Sequence, residues 1–206
     1  MHKEILSSRQ LELLPLVKKF KREFYLVGGT AIALYLGHRR SIDFDLFKSG
    51  RLVLNRILNK VSDFKEPYSV SRRVEEQLNL TINEVKFTFF EYPYPVEVNY
   101  KFEDIIKLPD LLNLSAMKAF ALGRRAKWKD YVDLYFIIKD HYSVKEISET
   151  ADKIFGQLFS EKLFRAQLSY FDDIDYSEGI EFLISQPSDK TIMDFLSKKA
   201  IDIENN

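Results

Sequence analysis

The chain has 206 residues, with 31 lysines and arginines balanced by 31 aspartates and glutamates, so its formal net charge at pH 7 is zero. Hydrophobic residues make up 46% of it and aromatic residues 14%, which is enough for a packed core and excludes global disorder. The balanced charge excludes a uniformly basic coat for nucleic acid, so a polyanion would have to bind a local basic patch. The absence of cysteine and the presence of only three histidines exclude a disulfide framework, a structural zinc cluster and thiol catalysis.

The N-terminal segment begins with charged residues and lacks the apolar stretch of a secretory signal. The longest apolar runs, such as residues 32–36, are far shorter than the ~20 residues that span a bilayer. We therefore expect a cytoplasmic protein without a membrane segment.

The first part of the chain predicts a helix followed by a short strand. Apolar residues recur at helical spacing over the first twenty-odd residues, and Pro15 interrupts them, so one helix or two short ones are equally compatible with the pattern. Residues 24–27 then predict a buried strand that Gly28 and Gly29 terminate.

A second helix and a second strand follow at once. Thr30 is a natural N-cap for the apolar helix at residues 31–36, and Gly37 suits its C-terminal end. A basic connection leads to residues 42–47, where apolar and acidic residues alternate with the period of a strand.

The remaining pattern predicts an α/β (α+β) protein with a mixed sheet in a core at residues 1–110, and a helical C-terminal region at residues 111–206 packed on it. The acidic run at 172–175 is interpreted as a solvated turn. The elements after residue 50 are predicted as a helix at 52–61, strands at 68–74, 78–82 and 85–90, a loop to Leu111, and helices at 114–123, at 129–138 and beyond 142.

The glycine pair is a candidate anion site. A strand that ends in two glycines and opens a helix lets backbone N–H groups approach an anion closely, and the helix N-terminus adds about half a positive charge. A glycine pair after a strand is also a common tight turn, so the pair alone carries little weight.

Asp43 and Asp45 are candidate metal ligands. They are two residues apart on a predicted strand, so both carboxylates leave one face while Ile42, Phe44 and Leu46 point into the core. Neighbouring carboxylates repel unless cations lie between them, and a pair of Mg²⁺ ions that bridge nucleotide phosphates is the usual resolution. A solvated strand face is the alternative for this pattern alone, but its order and spacing after the glycine pair favour a metal–nucleotide site.

The stretch YLVGGTAIALYLGHRRSIDFDLF at residues 25–47 resembles the signature of the polymerase β-like nucleotidyltransferase superfamily, and more narrowly that of the AbiEii/AbiGii toxin family, which includes the MenT toxins. A later segment, with Lys118, Arg124-Arg125 and the run from Lys129 to Leu134, is similar to the family's helical K…R…[KR]DxxDL block. The three motifs occur in the expected order between about residues 24 and 138. The resemblance implies a polymerase β-like nucleotidyltransferase core.

The resemblance implies Mg²⁺-dependent transfer of an NMP from an NTP. Asp43 and Asp45 would hold two Mg²⁺ ions on the triphosphate. Gly28, Gly29 and the Thr30 hydroxyl would cradle its β- and γ-phosphates.

Four further residues are candidates for this site or its support. Arg39, in the basic loop before the aspartates, and Lys118 are candidate nucleotide contacts, and Lys118 and Asp133 are candidate catalytic residues. An inward carboxylate on an apolar helix needs a partner, which Lys118 or a metal would supply. For Asp133 a structural ion pair is the alternative, and for Asp130 it is the better interpretation.

One departure from the superfamily affects the expected activity. Its members usually present a third carboxylate from a later strand, and this chain has Thr88 at that position. Glu91 and Glu97 are nearby, at the end of the strand and in the loop beyond it. Three alternatives are open. One of these glutamates replaces the missing carboxylate, Asp133 takes its role from the helix, or the reaction does not need this carboxylate as a general base.

The acceptor is not encoded by a motif. The family implies a toxin of a toxin–antitoxin or abortive-infection system, restrained by an antitoxin, that modifies RNA such as the tRNA 3′ end. Residues 38–40 and 124–129 supply cations, and Trp128 could stack a base, although helix ends also collect cations and Trp128 could simply pack. Transfer to a small molecule and a degenerate, non-enzymatic nucleotide- or partner-binding protein are the alternatives.

Overall fold

A computed structural model describes residues 1–202. The chain divides into two compact units, one comprising Met1–Asp110 and the other beginning at Leu111, and each is described by itself. None of the helices described within residues 1–202 is long and apolar enough to cross a membrane.

The first unit is built on a seven-stranded mixed sheet with the strand order β3-β4-β5-β2-β1-β7-β6. Strand β1 is antiparallel to β2 and parallel to β7, whereas β2 is parallel to β5. The α/β class with a mixed sheet is therefore confirmed. The strands are β1 Tyr25–Val27, β2 Phe44–Lys48, β3 Tyr68–Val74, β4 Gln77–Ile82, β5 Val85–Glu91, β6 Tyr100–Phe102 and β7 Ile106–Leu108.

Three α-helices belong to this unit, α1 (Ser8–Lys18), α2 (Gly28–Leu36) and α3 (Leu54–Ser62), after a 3₁₀ turn at Lys3–Ile5. Helix α1 runs unbroken through Pro15, so a division there is excluded. A capping box at its first turn and a largely buried run around the proline stabilise it, which offsets the hydrogen bond that the proline cannot donate.

The core of this unit lies on one face of the sheet. Phe20 and Phe24 pack edge-on against Phe89 of β5, with ring centroids 4.8 and 5.3 Å away. Phe44 of β2 contacts Phe87 of β5 at 5.2 Å. Because side chains alternate along a strand, the residues between these phenylalanines lie on the opposite face.

The structure corrects two sequence predictions here. Strand β2 begins at Phe44 rather than at Ile42, and Ile42 is 61% exposed instead of facing the core, because it precedes the strand. The segment up to Leu111 is not only loop: it contains β6 and β7, and β7 adds a parallel neighbour to β1.

The second unit consists of helices, as predicted. Helix α4 stacks Phe120 on Phe155 of α6, with ring centroids 3.8 Å apart and planes 5° from parallel. Asp175, in the acidic run, pairs its backbone with residues 126–128 in an isolated bridge. The helices are α4 Leu111–Leu122, α5 Trp128–Asp140, α6 Val144–Phe155, α7 Glu161–Leu168 and α8 Asp189–Ile201.

Candidate active site

The glycine turn lies directly against Asp45. Val27, the last residue of β1, is in register with Asp45 of β2, and Gly28 opens α2 with a φ of +71°. A Cβ on Gly28 would lie 2.1 Å from Oδ2 of Asp45, so only glycine allows the carboxylate to approach the helix start this closely. The predicted juxtaposition of the glycine pair and the aspartate strand is therefore present.

Gly29 makes room for a buried cation. A Cβ at this position would lie 2.7 Å from Nη2 of Arg39 and 3.2 Å from Oγ of Ser41. Arg39 is only 4% exposed, and its Nη1 donates a hydrogen bond to the carbonyl of Arg40 at 2.9 Å. The guanidinium is thus held beside the N-terminal turn of α2, where it adds positive charge to that of the helix dipole.

Thr30 ties the loop before the aspartates to α2. Its Oγ1 donates a hydrogen bond to the backbone carbonyl of Asp43 and lies 2.9 Å from Oγ of Ser41. The threonine is buried and is not the N-cap, which is Val27 and supplies no side-chain cap. The prediction of a Thr30 cap was therefore wrong, because the helix begins at Gly28, three residues before the predicted start at residue 31.

The two aspartates form a donor set that fits Mg²⁺. Asp43 immediately precedes β2 and Asp45 is its second residue, and both are partly buried. Protein sites commonly hold Mg²⁺ through one or two carboxylates and complete the shell with substrate phosphates and water. Within residues 1–202 no group of three or more histidine, aspartate or glutamate side chains is arranged to hold a metal, so the two aspartates would depend on such substrate oxygens.

The position beside Asp45 on the neighbouring strand is neutral. Thr88 of β5 is in register with Asp45 in the parallel pair, as the sequence indicated. Glu91 is three residues further along β5, so its side chain lies on the other face, and Glu97 is exposed in the loop beyond. Neither glutamate therefore replaces a strand carboxylate beside Asp45.

Lys118 forms a buried ionic cluster in the second unit. Its Nζ lies 2.6 Å from Oδ1 of Asp130 and 2.9 Å from Oδ2 of Asp133, so one ammonium joins α4 to two carboxylates of α5. Arg125 donates from Nε to the other oxygen of Asp130 at 3.1 Å. The four charges sum to zero, as a buried cluster requires. The structural ion pair predicted for Asp130 is present, and Lys118 contacts Asp133 as well.

The basic segment 124–129 is largely neutralised within the second unit. Lys127 and Lys129 both pair with Glu178, a partner that sequence reasoning missed because it lies about 50 residues away. Burial raises the pKa of Glu178, but the hydrogen bonds from the two lysines outweigh this and lower the pKa to about 2. Trp128 is buried and packs on Tyr131 and Tyr176 with centroids 6.1 and 5.5 Å away, so it is a packing residue.

The seven-stranded sheet and its helices have the fold of nucleotidyltransferases of known structure, and the glycine turn lies against Asp45 within that fold. Residues 16–181 match the family described as "Nucleotidyl transferase AbiEii toxin, Type IV TA system", and the chain belongs to this family. It is also 31% identical over 159 residues to the uncharacterised protein aq_aa25 of Aquifex aeolicus (strain VF5), covering 73% of this chain and 75% of that protein.

Solved structures share the fold at low identity. The nucleotidyltransferase toxin MenT4 (Rv2826c) of Mycobacterium tuberculosis H37Rv has a TM-score of 0.61 at 13% identity, covering 93% of this chain and 81% of that one. JHP933 of Helicobacter pylori has a TM-score of 0.57 at 17% identity, covering 95% and 91%. The antibiotic-resistance factor ANT(2″)-Ia has a TM-score of 0.53 at 12% identity, covering 71% and 91%.

Proposed function

We propose that the protein is a Mg²⁺-dependent nucleotidyltransferase that transfers an NMP from an NTP to the end of an RNA, such as the tRNA 3′ end. It would act in the cytoplasm as the toxin of a toxin–antitoxin or abortive-infection system. The observation that carries this proposal is the close approach of Gly28 and Asp45, which sets a helix N-terminus beside the carboxylate that we propose binds the metal. Membership of the AbiEii toxin family supports both the reaction class and the toxin role.

The residues of the first unit have separate tasks in this reaction. Asp43 and Asp45 would hold Mg²⁺, which when bound neutralises the triphosphate and stabilises the charge that develops on the leaving pyrophosphate. The N–H groups of the Gly28-Gly29 turn and the Arg39 guanidinium would bind the β- and γ-phosphates. The Thr30 hydroxyl holds the backbone at Asp43, so its role is to position a ligand rather than to touch phosphate.

The bond changes follow from the reaction class. The oxygen of the acceptor hydroxyl forms a bond to the α-phosphorus, the bond from that phosphorus to the bridging oxygen breaks, pyrophosphate leaves, and the hydroxyl proton is lost. Lys118 is proposed as a further triphosphate contact and Asp133 as a further catalytic carboxylate. Their mutual pairing orients both side chains.

The proposal is tested with purified protein, Mg²⁺, each of four α-labelled NTPs and total tRNA. We expect label in tRNA with the wild type and none with Asp45→Asn or Asp43→Asn. The matched control is Asp63→Asn, which changes an exposed aspartate at the C-terminal end of α3 and should retain full labelling.

Expression in cells gives an independent readout, since expression of the wild type should arrest growth and expression of Asp45→Asn should not. Label that enters a small molecule such as an antibiotic, and not RNA, would contradict the proposed acceptor and support a small-molecule transferase, in line with the described role of ANT(2″)-Ia in antibiotic resistance. NTP binding that Asp45→Asn leaves intact, without transfer to any acceptor, would contradict the enzymatic function itself.

A further inference from the structure

A group of four aromatic side chains extends from the face of the sheet that carries Asp45. Phe47 follows Asp45 by two residues on β2, and Phe90 follows Thr88 by two on β5, so both lie on that face. Their ring centroids are 5.2 Å apart. Tyr92 lies 5.1 Å from Phe47, and Tyr94 lies 5.1 Å from Tyr92. We call these four residues the aromatic platform.

The platform is separate from the core. The core phenylalanines of β2 and β5 alternate with it and pack on the other face. Phe47, Phe90 and Tyr94 each keep part of their surface exposed, whereas Tyr92 is 7% exposed and backs Phe47 and Phe90. Partly exposed aromatic rings grouped beside a catalytic carboxylate are a feature of binding surfaces rather than of a solvated face.

The platform is held in place by its backbone. The N–H of Tyr92 donates to the carbonyl of Lys48 at 2.8 Å, which continues the β2–β5 pairing beyond the end of β5. Pro93 and Pro95 flank Tyr94 and restrict the backbone on both sides of it. The rings therefore need little ordering when a planar group stacks on them.

The position of the platform relative to Asp45 indicates what it binds. Two residues along a strand place Phe47 about 7 Å from Asp45. In-line displacement requires the acceptor hydroxyl to approach opposite the leaving pyrophosphate. With the β- and γ-phosphates at Gly28 and Gly29, beside β1, the acceptor approaches from the β5 side, where Thr88 and Phe90 lie.

A cation extends this side of the sheet. Lys86 precedes Thr88 by two residues on β5, shares its face and is exposed. It forms no ion pair within residues 1–202, so its ammonium can meet a phosphate. An aromatic platform and a free ammonium on either side of the Thr88 position match a nucleic acid end, which combines a base with backbone phosphate.

We propose that the terminal base of the RNA acceptor stacks on the aromatic platform, chiefly on Phe47 and Phe90, while Lys86 contacts a phosphate of the same strand. This inference rests on the proposed transfer to RNA and adds the subsite that holds the RNA end. Because every base has a π-face, stacking predicts tolerance of the terminal base rather than recognition of one base.

The kinetic test uses Phe90→Leu and Phe47→Leu, which keep apolar volume and remove the ring. We expect the KM for the RNA acceptor to rise about tenfold or more, in the range that loss of one base–aromatic stack produces, while the KM for NTP stays within twofold. Phe90→Tyr retains the ring and should therefore keep the KM for the RNA acceptor close to the wild-type value. Tyr68→Leu, which removes an exposed ring from β3 of the same sheet, should leave both constants unchanged.

A binding test separates this inference from the reaction itself. In an Asp45→Asn background, an RNA with 2-aminopurine as its terminal base should lose fluorescence on binding, and the loss should disappear when Phe90→Leu is added. RNA binding without that quenching, or a rise in the KM for NTP in place of that for RNA, would overturn the subsite and leave the proposed function standing. If the wild type neither binds nor labels RNA, the proposed acceptor fails and the subsite fails with it.

Discussion

At the scale of single residues, Gly28 is the position where the backbone most directly determines where the Asp45 carboxylate lies. Gly28→Ala places a Cβ against Oδ2 of Asp45 and also requires a left-handed φ, so we expect transfer to fall at least ~100-fold as the carboxylate is displaced. The matched control is Gly50→Ala, with a φ of +78° and nothing within 4 Å of the added Cβ. It should lose about 1–2 kcal/mol of stability through strain alone and keep its activity.

Rate measurements on both variants, with thermal melts beside them, separate strain from displacement of the carboxylate. Equal loss of activity in the two variants would contradict the proposed metal-binding role of Asp45, because of these two substitutions only Gly28→Ala places an atom against that side chain.

Tyr25 offers a residue-scale prediction about pH. Its hydroxyl is buried and forms no hydrogen bond within residues 1–202, and burial raises its pKa to about 12. An unfolded tyrosine ionises near pH 10, so above pH 10 the unfolded state loses a proton that the folded state retains, and stability falls as the pH rises to 12. Between pH 10 and 12 this ionisation should lower the free energy of unfolding of the wild type by up to ~2–3 kcal/mol, and Tyr25→Phe should not show this decrease.

The measurement is denaturant unfolding of the wild type and Tyr25→Phe from pH 8 to 12. At pH 8 the variant should equal the wild type or exceed it by up to ~1 kcal/mol, since no hydrogen bond is lost. Tyr131→Phe is the contrasting control: its hydroxyl accepts from Gln167 at 2.9 Å and donates to the carbonyl of Tyr170 at 3.0 Å. That variant should lose about 1–3 kcal/mol. An equal loss of stability in both variants would contradict the conclusion that the Tyr25 hydroxyl forms no hydrogen bond within residues 1–202.

Prediction from the sequence succeeded for residues whose partners are close in the chain. Gly28 and Asp45 lie within one continuous stretch of sequence. The alternation of side chains along the strand already predicts that Asp45 and Phe44 lie on opposite faces of the sheet. The partner of Lys127 and Lys129 was missed, because Glu178 lies about 50 residues away and the pairing depends on how helices and turns pack, which no local period encodes.

At the scale of elements, the pair α4–α5 depends on one ammonium. Lys118→Met leaves Asp130 and Asp133 without the cation that lies within 2.9 Å of both, and removal of one partner from a buried ion pair costs about 3–5 kcal/mol. Lys153→Met changes an exposed lysine on α6 and should be nearly neutral. Chemical denaturation of the three proteins measures the difference.

A Lys118→Met variant as stable as the wild type would contradict a structural role for the cluster. A smaller change should separate catalysis from stability: Asp133→Asn should abolish transfer while Arg125 still holds Asp130. Activity loss is therefore informative at Asp133 and, without a folding control, ambiguous at Lys118.

Elements were predictable where a period repeats several times. Strand β4 alternates along its whole length and β5 along its first five residues, and α3 shows a clear amphipathic spacing. Strands β6 and β7 have three residues each, too few to establish a period, and β7 is held by pairing with β1 rather than by its own pattern. Strand β2 was placed two residues early because the alternation of apolar and acidic residues starts at Ile42, before the backbone pairing begins at Phe44.

At the scale of the whole molecule, zero net charge means that any RNA contact is local. Several lysines already have acidic partners, since Lys127 and Lys129 share Glu178 and Lys18 pairs with Asp104. Only the few phosphates that meet unpaired cations release counterions, and each contributes about −0.7 to the slope of log K against log salt for a single strand. We expect a total slope of only about −2 to −3.

Single-charge variants locate those contacts. Lys86→Gln should make the slope shallower by about 0.7, because within residues 1–202 its ammonium forms no ion pair and we propose that it contacts phosphate directly. Lys127→Gln should leave the slope unchanged, because Lys127 is already neutralised by Glu178. Fluorescence anisotropy with a labelled single-stranded RNA between 50 and 200 mM salt measures both, on an Asp45→Asn background that prevents turnover. The opposite ranking would place the RNA on the basic segment 124–129 and away from the sheet face that carries Asp45.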